Sequence, residues 1–123
     1  MMKKIAIIGG GASGLMAADF LRHYPVQVSI YEAKPSVGRK FLLAGKGGMN
    51  ITHSENFDSF CQRYGAEQQF LQPMLEQFNN QAVRDWMQSL GFDSFVGSSG
   101  RVFPTDMKAA PLLRAWLHRL RES

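Results

Sequence analysis

Residues 9 to 14 read Gly-Gly-Gly-Ala-Ser-Gly and follow directly on Ile5-Ala6-Ile7-Ile8. An apolar run that ends in Gly-x-Gly-x-x-Gly leaves the chain few local structures. It forms a strand, then a tight turn, then a helix whose first amides face outward. Gly9 permits the turn, Gly11 leaves the backbone bare where an anion approaches, and Gly14 lets the helix lie close on the strand. The helix start, at Ala12 and Ser13, carries about half a positive charge and unpaired N–H donors, which suits phosphate.

The flanking residues support this reading. Lys3-Lys4 lead into Ile5, Ile7 and Ile8, the near-continuous apolar run of a buried parallel strand. Leu15, Ala18, Phe20 and Leu21 recur at helical spacing, and small Ala18 extends the close helix–sheet contact. Tyr24-Pro25 break the helix. Val26, Val28 and Ile30 then alternate with Gln27, Ser29 and Tyr31 as a second strand, with Glu32 at its carboxyl end and Ala33 beside it. An acid about 20 residues past the glycines accepts hydrogen bonds from ribose hydroxyls. The expected fold class is α/β, a Rossmann-like FAD/NAD(P)-binding βαβ unit. The competing reading is a flavodoxin-like βαβ unit in which Glu32 is an ordinary solvated strand end. The fingerprint does not separate FAD from NAD, whereas Glu32 repels the 2′-phosphate of NADP.

A chain of 123 residues suffices for one domain. Its net charge of +4 suits a phosphate-rich ligand, and no basic run points to nucleic acid. Arg114, His118, Arg119 and Arg121 share one predicted helix, where they read as a solvated face. Cys61 is the single cysteine, which rules out an internal disulfide or a Cys-x-x-Cys pair and fits a reducing, cytoplasmic compartment. Lys3-Lys4 before an apolar stretch resemble a signal peptide, but the glycines and Asp19 interrupt that stretch. No apolar run is long enough to span a membrane, and no metal site is expected.

Residues 35 to 53 hold a second glycine-rich segment. It reads as a loop to Arg39, a short helical or irregular turn at Lys40 to Leu43, and a loop to Asn50. Gly38-Arg39-Lys40 are expected near the same sheet end as Glu32. The Arg39 guanidinium there forks onto phosphate or stacks on adenine, and Lys40 acts as a point charge; the alternative is an exposed basic turn. Gly45, Gly47 and Gly48 either let backbone approach a flat ring or form a surface turn. Asn50 offers a donor and an acceptor, and His53 reads as a surface residue.

Ser54 is the expected cap of a helix carrying Phe57, Phe60, Cys61 and Tyr64. Phe70, Leu71, Met74, Leu75 and Phe78 form a second helical stripe that either starts or kinks at Pro73. Val83, Trp86, Met87 and Leu90 form a third, stopped by Gly91. These aromatics and methionines read as core. Phe92 to Val96 and Arg101 to Phe103 read as a β-hairpin, with Arg101 in a structural ion pair. Thr105 or Asp106 caps a last helix from about Lys108 to Arg121.

Four segments carry a family resemblance: Ile7-Ile8-Gly9-Gly10-Gly11-Ala12-Ser13-Gly14, Gly38-Arg39-Lys40-Phe41-Leu42-Leu43, the loop ending Asn50-Ile51-Thr52, and Gly100-Arg101-Val102-Phe103-Pro104. On these the chain resembles the BaiN-like, or aminoacetone-oxidase-like, bacterial NAD(P)/FAD-dependent oxidoreductases. Many members read Gly-Arg-Cys-Asn where this chain has Gly47-Gly48-Met49-Asn50. The resemblance covers essentially the whole chain but only the opening part of the family's longer proteins. It implies FAD binding and an oxidoreductase role. The pyrophosphate then lies against Gly9 and Gly11 to Gly14, the adenosine ribose at Glu32 and Ala33, and Gly38, Arg39, Lys40, Gly48 and Asn50 flank phosphates or flavin. No side chain stands out as catalytic.

A doubly wound sheet calls for another strand after the last helix. The expectation is therefore an incomplete parallel sheet, residues 1–123 forming the amino-terminal part of a dinucleotide-binding domain. Activity of this chain alone is not expected. Self-association, or pairing with a missing carboxyl-terminal portion, follows from open strand edges. Two other readings stay open: an NAD-binding oxidoreductase segment, and a non-catalytic fragment that associates with a partner chain.

Overall fold

The computed structural model describes residues 2–122. In chain order its elements are β1 (Lys3–Ile8), α1 (Ala12–Leu21), β2 (Val26–Tyr31), α2 (Arg39–Ala44), β3 (Thr52–His53), α3 (Phe57–Gln62), a 3-10 turn (Gly65–Glu67), α4 (Gln68–Gln77), α5 (Asn80–Ser89), β4 (Ser94–Val96), β5 (Arg101–Pro104) and α6 (Ala110–Arg121). They fall into two compact units. One holds the chain up to Gly47 together with the residues from Ala109 onward; the other is Gly48–Lys108.

In the first unit β1 and β2 pair in parallel, from Lys3 opposite Val26 to Ile8 opposite Tyr31. β-Branched residues favour the extended chain, and a crossover through α1 is what a parallel pair requires. Leu15 and Ala18 of α1 are buried, as are Phe41 of α2 and Leu112, Leu113 and Trp116 of α6. The Phe41 and Trp116 rings meet at 5.9 Å between centroids. The strands alternate between half-buried and exposed residues rather than being buried throughout, and Ile8 is 81% exposed. The reason is that one sheet face is covered while Ala6, Ile8, Ser29 and Tyr31 lie exposed on alternate positions.

At the centre of this unit lies a charge that the sequence pattern did not reveal. Asp19 is 5% exposed. Its carboxylate accepts hydrogen bonds from the Trp116 indole at 2.8 Å, the Arg119 guanidinium at 2.7 Å and Arg22 at 3.1 Å. Arg119 is thus one half of an inward-facing ion pair and not part of a solvated face. A helical wheel cannot distinguish the two, because the deciding partner is 100 residues away.

In the second unit β5 is the central strand, antiparallel to β3 on one side and β4 on the other. The hairpin forms where the sequence predicts it, although β4 begins at Ser94 and not Phe92. Strand β3 is not foreseen from the sequence, because two residues are too short for a period-2 signal. Met49, Cys61, Met87 and Val102 are buried. Burial pushes the Cys61 thiol pKa up, which keeps it protonated. Asn80, also buried, donates to the His53 carbonyl at 2.7 Å and the Glu55 carbonyl at 2.8 Å, so the end of β3 is held by a side chain.

Several helix boundaries differ from expectation for identifiable reasons. Asn56, not Ser54, caps α3, accepting from the Ser59 amide at 2.9 Å, while the Ser54 hydroxyl donates to the Gly100 carbonyl. Helix α4 does not start at Pro73; it follows directly on the 3-10 turn at Gln68 and continues past the proline to Gln77. None of its residues is buried, so Phe70 and Met74 are surface and not core. Helix α6 starts after Ala109 without a side-chain cap, since Asp106 instead accepts from the Lys108 amide at 3.1 Å.

Candidate functional site

The glycine loop joins β1 to α1. Gly9 has φ +103°, a region that other residues avoid, and its N–H donates to the Tyr31 carbonyl at 2.7 Å. This bond ties the end of β1 to the end of β2. A Cβ on Gly14 would sit 2.0 Å from the Gly9 carbonyl oxygen, so only glycine lets the first turn of α1 close against the strand. A Cβ on Gly11 would meet nothing within 4 Å. The backbone there is open, and Gly11 precedes α1 with no side-chain cap. Ala12 and Ser13 are exposed beside it. Helix geometry leaves the amides of that first turn without intrahelical acceptors.

Glu32 stands next to this loop. One carboxylate oxygen accepts the Gly10 N–H at 2.8 Å, the other the Lys34 N–H at 2.9 Å. The Lys34 amide first, then the Gly10 amide, stabilises the charged form and lowers the Glu32 pKa below its ordinary value. Each oxygen keeps acceptor capacity, since a carboxylate has about four lone-pair sites. Ala33 is exposed alongside.

Gly38 closes the loop from the other side. Its N–H donates to the Gly10 carbonyl at 2.7 Å, its φ is +72°, and a Cβ there would reach Leu113 at 2.8 Å. Its glycine identity is therefore required by packing against α6. Arg39 and Lys40 follow at the start of α2, both exposed. The Arg39 guanidinium donates to Ser36 at 3.2 Å, and its other donors have no partner among the described residues. Gly9, Gly11 to Gly14, Glu32, Ala33 and Gly38 to Lys40 thus share the first unit. Gly48 and Asn50 belong to the second. Gly48 has φ +118° and a Cβ on it would meet the Met107 side chain at 2.9 Å.

Two contributors were missed from sequence. Gly10 reads as the idle middle of three glycines, yet a Cβ on it would meet Val37 at 2.5 Å, and its N–H and carbonyl both bond the 32–38 loop. The signal was present: the fingerprint needs Gly9 and Gly11, so a third glycine between them marks a further constraint. Val37 has no sequence signal of its own. Arg101 makes no ion pair among the described residues, contrary to expectation. His53 is structural. Its Nδ1 accepts the Glu55 N–H at 3.1 Å, so its Nε2 carries the proton and donates to the Ser99 carbonyl at 3.1 Å.

Among the described residues no helix is long and apolar enough to cross a membrane, and no cluster of three or more His, Cys, Asp or Glu is placed to hold a metal. Over 115 residues the chain is 36% identical to the 3-dehydro-bile acid delta(4,6)-reductase of Clostridium scindens, a match covering 91% of this chain and 27% of that protein. It is 34% identical over 65 residues to the carotenoid phi-ring synthase of Streptomyces griseus, covering 49% of this chain and 12% of that protein. The chain therefore spans about a quarter of the first relative's length and about an eighth of the second's. The HI0933-like protein Rossmann domain model matches residues 3–123, and with the glycine turn and parallel pair in place the chain belongs to that family, within its Rossmann domain.

Proposed function

We propose that this chain is the FAD-binding segment of a flavin-dependent oxidoreductase, forming the amino-terminal part of its dinucleotide-binding domain. The observation that carries the reading is the 2.8 Å bond from Gly10 to Glu32, which holds a charged carboxylate beside a bare, uncapped helix start. An anion and a diol, spaced as in a dinucleotide, need that pair of features. In this reading the amides of Gly11, Ala12, Ser13 and Gly14 hold the pyrophosphate, with Gly9 shaping the turn. Glu32 and Ala33 receive the adenosine ribose. Gly38 sets the position of Arg39 and Lys40, which add positive charge toward the phosphates.

The flavin, when bound, supplies the electron transfer; this chain's residues bind and orient it. A reductase among the relatives favours redox chemistry. The family resemblance favours FAD over NAD. A cytoplasmic location, and association with a further portion of the protein that covers the exposed sheet face, complete the proposal.

Titrating the chain with FAD and following flavin fluorescence tests it. Saturable quenching, absent with NAD and weakened in Glu32→Gln, is the expected result. A chain that binds neither dinucleotide, alone or joined to the remainder of a full-length relative, overturns it.

A further inference from the structure

We infer that the second unit binds a small organic carboxylate with an aromatic or alicyclic body, in an open cleft of about 480 Å³ lined by residues in and beside β3, β5, α3, α4 and the start of α5. That volume lies within the range of small-molecule sites. The inference does not depend on the dinucleotide reading, although Asn50 lies at this cavity as well.

Charge selects the class. Among the described residues no carboxylate lines the cleft, whereas two arginines do. Arg63 is already paired with Glu55. The His53 ring is committed at both nitrogens. Arg101 is exposed, and its side chain, unlike its carbonyl, which accepts from the Gly97 amide, has no hydrogen bond or ion pair among the described residues, so its guanidinium is the uncommitted charge of the cleft. The Thr52 hydroxyl likewise has no partner among the described residues. Asn79 uses its amide oxygen to cap α5, accepting from Ala82 at 2.8 Å, which leaves its NH₂ group to donate. The cavity thus offers donors around one net positive charge. A planar guanidinium pairs with a carboxylate by two parallel bonds, and a single cation balances a monoanion rather than a phosphate dianion.

The remaining wall is apolar. Phe60, Leu75 and Phe78 line it, with the Tyr64 ring edge-on to Phe60 at 5.8 Å. Such a surface accepts a ring system and gains little from a flexible polar ligand. A charged head at Arg101 and a ring over Phe60 and Phe78 use both halves of the cavity.

The probes are 2-naphthoate, its neutral analogue 2-naphthamide and 2-naphthyl phosphate, titrated calorimetrically into the full chain. The expected result is saturable naphthoate binding, about tenfold tighter than the amide because the charge-assisted bond is lost, and tighter than the phosphate. Arg101→Gln should abolish the naphthoate preference, Thr52→Val should weaken naphthoate, and Lys46→Gln should change nothing. Saturating FAD should leave naphthoate affinity unchanged, and Glu32→Gln should do the same. Equal affinity for naphthoate and the amide, tighter binding of the phosphate, or displacement of naphthoate by FAD each overturns the inference. Circular dichroism checks the variants. If Arg101→Gln does not fold, the naphthoate–naphthamide comparison on the unchanged chain decides alone.

Discussion

The two units place their chemistry in different parts of the chain. In the first, the candidate site is made of backbone: open amides at Gly11 to Gly14 and an acid held by two more amides at Gly10 and Lys34. Side chains serve to fix that backbone, through the bond from Trp116 of α6 to Asp19 of α1 and through Leu113 against Gly38. In the second unit the distinctive feature is a cavity whose properties come from side chains, above all Arg101. Its helix α4 contributes apolar residues that remain exposed. A backbone site demands glycines at set spacing and leaves a readable trace. A side-chain cavity assembled from five elements leaves almost none.

The largest expected effect tests the support of the first unit. Asp19→Ala removes the buried carboxylate that accepts from the Trp116 indole and pairs with the mostly buried Arg119 guanidinium. Breaking such a pair costs about 3 kcal/mol or more. Urea unfolding measures it, and a loss under about 1 kcal/mol would mean that the network is as weak as a surface pair. Gly14→Ala comes next. Its Cβ falls 2.0 Å from a carbonyl oxygen, so the loop must shift, with destabilisation of about 2 kcal/mol. FAD titration of the variant should show binding lost, which separates it from Asp19→Ala if that variant still binds.

Smaller effects sharpen the contrast. Asn56→Ala should cost about 1 kcal/mol through the lost α3 cap. Ser54→Ala should cost less, since Ser54 is exposed and caps no helix. Glu32→Gln should leave folding nearly intact while weakening FAD by about tenfold. Its pH profile has a defined sign. The amides of Lys34 and Gly10 depress the folded-state pKa of Glu32. The carboxylate's contribution is therefore full above the ordinary glutamate range and disappears only as pH falls through the lowered value. FAD affinity of the wild-type chain should hold down to that range and then drop, whereas the glutamine variant should show no such step. Smallest of all, Phe70→Ser on α4 should change stability by less than about 0.5 kcal/mol. Sedimentation should show reduced self-association, because an exposed apolar face is lost.

The strand–turn–helix–strand order, the parallel pair and the nearness of Glu32 to the glycines were readable because each follows from local rules. Those rules are a period-2 strand, a side-chain-free turn and a fixed span to the acid. The hairpin at Arg101 was readable from its turn residues. The burial of Asp19, the exposure of α4 and the uncommitted state of Arg101 were not. An amphipathic stripe names the residues suited to a core without naming what covers them, and α4 has the stripe but no cover. A charge on a helix reads as solvated until its distant partner is located, as Arg119 illustrates.

Residues near one another in the chain settled the shape of the glycine bend, since sterics at Gly9 and Gly14 act over a few bonds. Tertiary structure alone decided the pairing of Asp19 with α6, the closure of the 32–38 loop on Gly10 and the formation of a donor-lined cavity around Arg101. Each of these depends on groups that are far apart along the chain, and only folding sets the distances over which hydrogen bonds and charges act.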